Sequence, residues 1–321
     1  MKFLIIGLGS MGKRRIRNLL ALGYSNIFGY DIRSDRKEEA KNKYNIVIVD
    51  DINSIEVDAI IISTPPDIHK DYILWSLEKK IPTFVEAGVI PEHGREIYKH
   101  KDSRNLIYPS CTFRFHPAIK DIKNIIKSNN FGKVTNFNYH SGQYLPDWHP
   151  WESIKDYYVS KKETGGAREI VVFELIWICD IFGYPIETKS FIGKTIDLEC
   201  EIDDTYMIIM KYPNFFGALI VDVVSRTPTR KLIVNLEYGQ ILWDTKNTIV
   251  KLFDAHQKRW VYYEQPEGTT YQGYNKTIIE EMYIEEIKTF IDSIKGIAKF
   301  PYSLEENIRV LEVLEKIEKS Q

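Results

Sequence analysis

The opening of the chain constrains its fold most. Lys2-Phe3-Leu4-Ile5-Ile6 runs straight into Gly7-Leu8-Gly9-Ser10-Met11-Gly12, and Lys13 to Leu22 then reads as a helix. A short, wholly apolar run entering such a turn is a buried parallel strand followed by its crossover helix. The three glycines fit G-x-G-x-x-G and have separate tasks. Gly7 permits the tight turn, Gly9 lets a diphosphate come close to the backbone, and Gly12 lets helix and strand pack tightly. An anion there meets the free N–H groups and positive dipole end of the helix, at Ser10 and Met11. A second apolar run, Asn26 to Tyr30, ends in Asp31, about 20 residues past the glycines, where an acid can hold the hydroxyl pair of an adenosine ribose.

The alternation continues. Asp35 to Tyr44 is a charged helix, Ile46 to Val49 a third strand, and Asp58 to Ile62 a fourth, which delivers Ser63-Thr64-Pro65-Pro66-Asp67-Ile68-His69 at its carboxyl end. Ligands of doubly wound sheets bind at those ends. Ser63 and Thr64 can donate to a ribose or phosphate, and the two prolines stiffen the turn. The other reading of this stretch is a helix-entry turn that carries His69 incidentally. Asp71 to Lys80 is a helix, Thr83 to Val85 a strand ending in Glu86-Ala87-Gly88, Pro91 to His100 a helix, and Asn105 to Tyr108 a strand. Strands and helices alternating over short connections specify a parallel sheet covered on both faces.

Near residue 115 the pattern changes. After a helix from Ala118 to Ser128, Val134 to His140 alternates as a half-exposed strand. It leads into Gln143-Tyr144-Leu145-Pro146-Asp147-Trp148-His149-Pro150-Trp151. Aromatic faces beside acids and imidazoles suit a sugar, and they equally suit a packed corner with its polar handles satisfied. Thr164-Gly165-Gly166-Ala167 opens a helix running to about Phe182, with Arg168 and Glu169 in its first turn. Tyr206–Tyr212, Gly217–Val224, Lys231–Glu237, Gln240–Asp244 and Val250–Phe253 read as consecutive strands of an antiparallel meander. One face of that sheet lies on helices and the other is free, so a homodimer or homotetramer formed through the sheet is expected. Amphipathic helices from Lys276 to Ile294 and Ser303 to Lys319 close the chain.

The expected fold is therefore α/β. An N-terminal Rossmann doubly wound parallel sheet (1–115) precedes a C-terminal α+β domain (116–321) with a large, mainly antiparallel open sheet. At 321 residues the chain is long enough for two cores. With 43 basic and 45 acidic side chains, nothing marks a nucleic-acid or anionic-membrane surface, and a small molecule is the default partner. No stretch approaches the roughly 18 apolar residues of a membrane span. Cys111, Cys179 and Cys200 lack C-x-x-C spacing and read as reduced thiols of a cytoplasmic protein, with no metal site.

These pieces resemble the Gfo/Idh/MocA superfamily over nearly the whole chain. The landmarks are Gly7 to Gly12, Asp31, Thr64-Pro65-Pro66 with His69, Arg114-Phe115-His116-Pro117, Gly165-Gly166, and Met282 to Ile287. Tyr144 to Trp151 looks like a subgroup associated with surface-polysaccharide gene clusters. The resemblance implies an oxidoreductase acting on a sugar or nucleotide-activated sugar with a nicotinamide cofactor. Gly7, Gly9, Ser10, Met11, Gly12, Asp31, Arg33, Ser63, Thr64, Pro65, Pro66, His69 and Glu86 would then hold the cofactor. The carboxylate of Asp31 repels a 2′-phosphate and favours NAD, while Arg33 and Arg36 keep NADP as the alternative. Arg33 could equally stack on adenine.

Two departures matter. The family's Glu-Lys-Pro reads Glu86-Ala87-Gly88, and its catalytic histidine falls at Phe173. A neighbouring family carboxylate falls at Glu169, or at Ile170 if the alignment shifts by one. A substitute proton relay is therefore expected from His149, Tyr144 and Glu169, with Arg114, Asp147, Trp148, Lys162 and Arg168 on the substrate. The competing readings are a dinucleotide-binding sensor or partner subunit without turnover, and an enzyme that cycles tightly held NAD internally.

Overall fold

A computed structural model describes residues 1–148, 153–244, 249–266, 268–269 and 279–321. The chain divides into two compact units, Met1–Thr112 with Tyr283–Arg309, and Phe113–Met282 with Val310–Gln321. A linear partition at residue 115 does not register that discontinuity.

In the first unit the order of elements is β1 (Phe3–Ile6), α1 (Ser10–Ala21), β2 (Ile27–Tyr30), α2 (Ser34–Tyr44), β3 (Val47–Ile48), β4 (Ala59–Ile62), α3 (His69–Glu78), β5 (Thr83–Val85), α4 (Pro91–Tyr98), α5 (Ser103–Leu106) and β6 (Ile107–Pro109). All six strands are parallel, in the order β3-β2-β1-β4-β5-β6. The order reverses between β1 and β4, and that switch point is where such sheets bind ligands. β1 and β4 are buried along their whole length, as unbroken apolar runs require. The third strand is shorter than expected: only Val47 and Ile48 pair, at the exposed edge. Tyr283–Arg309 joins this unit through aromatic packing, with Phe290 and Phe300 against Phe84 and Tyr108.

In the second unit come α6 (Pro117–Ser128), β7 (Val134–Tyr144), α7 (Gly166–Phe182), β8 (Glu187–Gly193), β9 (Thr205–Lys211), β10 (Phe216–Asp222), β11 (Val224–Leu236), β12 (Gly239–Asp244), β13 (Ile249–Asp254) and β14 (Arg259–Glu264). The chain closes with α8 (Glu280–Ile294) and α9 (Leu304–Lys319). The eight strands run in the order β14-β13-β12-β11-β7-β10-β9-β8. This corrects the expected plain meander. β7 inserts between β10 and β11, parallel to β10 and antiparallel to β11, and β8 and β14 extend the two edges. Pairing order depends on crossovers, which local alternation does not encode. Alternate residues such as Phe137, Tyr139, Ile208, Leu219 and Val234 are buried, with α7 packed on β9 and β10. The other face is open. Phe191 (83 % exposed) stands opposite Met207, and Ile209, Phe216 and Tyr262 share that surface.

Among the described residues no helix is long and apolar enough to cross a membrane.

Candidate functional site

The turn after β1 is built by exclusion. Gly7 has φ +92°, and a Cβ there would stand 2.6 Å from the Ser63 carbonyl oxygen; one on Gly12 would stand 1.8 Å from the Gly7 carbonyl oxygen. These two glycines make the fold. Gly9 differs: its φ is −68°, and an added Cβ would meet only the Arg36 guanidinium, with Nη1 at 3.5 Å. What lies against Gly9 is therefore the end of a flexible side chain, whereas Gly7 and Gly12 face backbone. Gly9 also caps α1 with no side-chain hydrogen bond, and no acid occupies the first turn, which leaves amide donors and the positive helix end for an anion.

Asp31 is buried at the end of β2. Its Oδ2 accepts from the Leu8 amide (2.7 Å) and its Oδ1 from the Arg33 amide (2.9 Å). Each carboxylate oxygen offers two lone-pair directions, so one on each remains for a ribose hydroxyl. Arg33, expected on the cofactor, forms a two-point contact with Asp35 (3.1 and 2.6 Å), which holds the Asp35 carboxyl down at about 2. Arg36 is the arginine that reaches the turn. Ile32, beside buried Asp31, is 79 % exposed, an apolar shelf that the sequence reading missed although its place after the acid could have marked it.

At the ends of β4 and β5, His69 Nε2–H donates to the Thr64 carbonyl at 2.6 Å and pins the Thr64-Pro65-Pro66 turn. Burial pushes this imidazole down to about 4, so it is neutral near pH 7. The Thr64 hydroxyl is buried and finds no partner among the described residues, leaving a donor for a bound group. Glu86, expected on the cofactor, has protein partners of its own. Its carboxylate is gripped by Arg15 (Nε to Oε1 2.6 Å, Nη2 to Oε2 2.9 Å), with the Ser63 hydroxyl at 3.4 Å. Arg15 is wholly buried and also faces Glu286 at 2.9 Å. Burial alone would lower the Arg15 pKa, but the two carboxylates outweigh it and raise it. Burial in turn raises that of Glu286, against the pull of Arg15. Glu286 ties down the chain after β6, accepting from Ser110 Oγ (3.0 Å), the Cys111 amide (2.6 Å) and Thr112 Oγ1 (2.8 Å). Ala87 is buried, and a Cβ on Gly88 would meet nothing within 4 Å.

In the second unit the glycine pair again has a steric cause. A Cβ on Gly165 would lie 2.1 Å from the Val159 carbonyl oxygen, and Gly166 has φ +65°. The segment before α7 can therefore lie on the helix start, where Tyr158 donates its hydroxyl to buried Glu169 at 2.8 Å. Tyr158 was not among the expected residues, since no spacing rule links it to Glu169. Tyr144 lies under the Arg226 guanidinium, 3.9 Å from its ring centre, because β11 shifts register between Val224 and Thr229. Tyr144, Pro146, Lys155, Asp197 and Glu199 line a cavity of about 260 Å³, across which Lys155 pairs with Glu199 at 2.9 Å.

Other expected substrate residues are held within the unit. Arg114 is drawn inward, donating to the Ile176 carbonyl (3.2 Å) and lying 3.7 Å from Asp180, which makes it a structural tie. Arg168 pairs with Glu318 (2.5 Å) and the Glu163 carbonyl. Lys162 reaches Asp203 (3.2 Å) and remains exposed. Asp147 ends the short turn Leu145–Asp147, and the buried Trp148 indole N–H finds no partner among the described residues. His149, Pro150 and Trp151 lie outside the described residues. Phe173, where the resemblance places a histidine, precedes Glu174. This fully buried carboxylate accepts from Ser141 Oγ (2.9 Å) and Trp177 Nε1 (2.6 Å), with Arg230 Nε at 3.4 Å. A lone acid inside the apolar run 170–179 was the signal for this network.

Residues 1–108 match the model of an oxidoreductase family with an NAD-binding Rossmann fold, and residues 119–242 match the GFO/IDH/MocA C-terminal domain. The chain belongs to the GFO/IDH/MocA family. As a member, it carries an NAD-binding domain and the family's oxidoreductase architecture. No curated protein matches the sequence. Among solved structures it is similar to an oxidoreductase from Agrobacterium radiobacter in complex with NAD+, L-tartaric acid and magnesium (TM-score 0.86, 13 % identity, covering 100 % of this chain and 96 % of that one). It is also similar to levoglucosan dehydrogenase in complex with NADH and levoglucosan (0.85, 15 %, 100 % and 96 %). A third is UDP-N-acetylglucosamine 3-dehydrogenase from Acidithiobacillus ferrooxidans (0.77, 16 %, 100 % and 97 %). At these identities the likeness is one of fold.

Proposed function

We propose that the protein is an NAD-dependent oxidoreductase of a secondary alcohol or ketone on a sugar or nucleotide-activated sugar, working with a non-standard proton relay in the cytoplasm. The observation that carries the reading is the glycine turn after β1, where a Cβ on Gly9 would meet a flexible arginine side chain and no backbone, in a chain whose two halves both match the family models. The amides at the start of α1 would bind the diphosphate, Asp31 the adenosine ribose, and the unpartnered Thr64 hydroxyl a further cofactor oxygen. When bound, the dinucleotide supplies or accepts the hydride. The chain must then move a proton at the substrate oxygen. Glu169 with the Tyr158 hydroxyl at 2.8 Å is the acid–base pair that replaces the missing lysine and histidine, and Tyr144 and His149 are the alternative proton donors. A positioned acid or base is worth roughly 10²- to 10⁴-fold in rate. The sugar-acting names among the similar structures support the substrate class.

Turnover of a panel of sugars and UDP-sugars, in wild type and in Tyr158→Phe, Glu169→Gln, Tyr144→Phe and His149→Ala, tests this. A hundredfold fall in kcat for the first two supports the relay. Undiminished turnover in both removes it. A second reading, a dinucleotide-binding sensor or partner subunit without turnover, is favoured by Ala87 and Phe173. It leads if NADH binds and no sugar is ever turned over.

The open sheet face is proposed to be covered by a second copy of the chain. Its apolar residues Phe191, Met207, Ile209 and Phe216 lie among Glu187, Lys189 and Lys211, a mixture of signs that suits pairing with itself.

A further inference from the structure

We propose that Arg36 is the side-chain clamp on the cofactor's diphosphate, a task that the sequence pattern alone assigns to backbone amides. The inference rests on the reading that a dinucleotide occupies the turn after β1.

Its first support is position. The guanidinium of Arg36 lies against Gly9, with Nη1 3.5 Å and Cζ 3.8 Å from where a Cβ would be, and among the described residues no other side chain beyond the glycine's two neighbours comes within 4 Å of that point. Gly9 is the glycine whose bare backbone lets the diphosphate come close. A cation held over it faces the same anion as the helix end.

The second support is the way the arginine is aimed. Asp31 joins the glycine turn to the start of α2 by accepting from the Leu8 amide with one oxygen and the Arg33 amide with the other. This fixes the first turn of α2, in which Arg33 is the cap and Arg36 follows three residues later. Arg33 itself turns to Asp35. Of the two arginines after Asp31, Arg36 is the one whose guanidinium lies against the glycine turn, while Arg33 contacts Asp35. Asp31 acts twice, as a ribose acceptor and as the positioning residue for Arg36. A guanidinium matches phosphate oxygens with two parallel N–H donors, which a lysine cannot reproduce.

The test is calorimetric titration of wild type, R36Q, R36K and K37A with NADH, NADPH and adenosine. Lys37 is the next residue on the same helix and pairs with Asp50, so K37A removes one positive charge without touching the turn. Loss of charge-assisted hydrogen bonds predicts that R36Q weakens NADH by roughly ten- to a hundredfold. NADPH should fall by the same factor, adenosine should be unchanged, R36K should fall in between, and K37A should stay within about twofold of wild type. R36Q binding NADH like wild type overturns the proposal. A loss confined to NADPH also overturns it, because the guanidinium would then serve the 2′-phosphate. Wild type failing to bind NADH would instead overturn the cofactor reading on which the proposal rests.

Discussion

Gly9 and Gly12 are three residues apart in one turn, yet replacing each by alanine should have opposite consequences. At Gly9 the backbone is already one that alanine adopts (φ −68°, ψ −161°), and the new methyl would meet only Arg36 at an ordinary contact distance. Gly9→Ala should therefore leave stability unchanged or raise it by about 0.4–1 kcal/mol, through the unfolded chain. At Gly12 the methyl would stand 1.8 Å from the Gly7 carbonyl oxygen, a backbone atom held in turn by the Gly7 turn. Strand and helix would have to separate by more than an ångström, so Gly12→Ala should cost at least the roughly 3 kcal/mol upper end of ordinary overpacking. Binding should not follow stability. The Gly9 methyl occupies the place where a diphosphate oxygen would accept from amides, and losing about two charge-assisted bonds weakens NADH by on the order of a hundredfold. Urea unfolding followed by fluorescence, with NADH titrated into each folded variant, reads both quantities. A folded Gly9→Ala that binds NADH within a few-fold of wild type would refute the reasoning, as would a Gly9→Ala that unfolds as readily as Gly12→Ala.

Acid should destabilise the protein through its buried imidazoles: burial pushes His69 down to about 4 and His116 to about 3, whereas the unfolded chain holds both near 6.5. The unfolded state then binds more protons below pH 6.5, so stability falls from pH 6.5 towards 4, by about 3 kcal/mol for His69 alone. His69→Gln should flatten that slope between pH 7 and 5 by about one proton, and an unchanged slope would count against it. Arg15→Met leaves Glu86 and Glu286 facing each other in the interior and should cost roughly 3–5 kcal/mol in urea unfolding; a cost under about 1 kcal/mol would show the network to be ornamental. Ile209→Lys on the open sheet face should lower the mass measured by light scattering to that of one chain, and a wild type already monomeric at micromolar concentration would end the self-association proposal.

What could be read in the sequence was local. The apolar runs of β1 and β4, the steric demands at Gly7 and Gly12 and the glycine pair before α7 are each stated by short stretches of sequence, and the structure shows each of them. What could not be read depended on distant partners. The grip of Arg15 on Glu86 joins two elements 71 residues apart. The insertion of β7 between β10 and β11 pairs strands far apart in the chain. Tyr158 reaches Glu169 through a loop with no periodicity. The sequence placed Arg33 on the cofactor and kept Arg36 only as a sign of NADP, and the contact of Arg36 with Gly9 depends on how α2 starts.

In the proposed function a nicotinamide dinucleotide sits on the turn between β1 and α1. Hydrogen–deuterium exchange with and without saturating NADH tests it most directly. Slowed exchange at the amides of Gly9 to Lys13, with further protection around Asp31 to Arg36, is the predicted result. Exchange at those amides unmoved by NADH, in a protein that stays folded throughout, would contradict it.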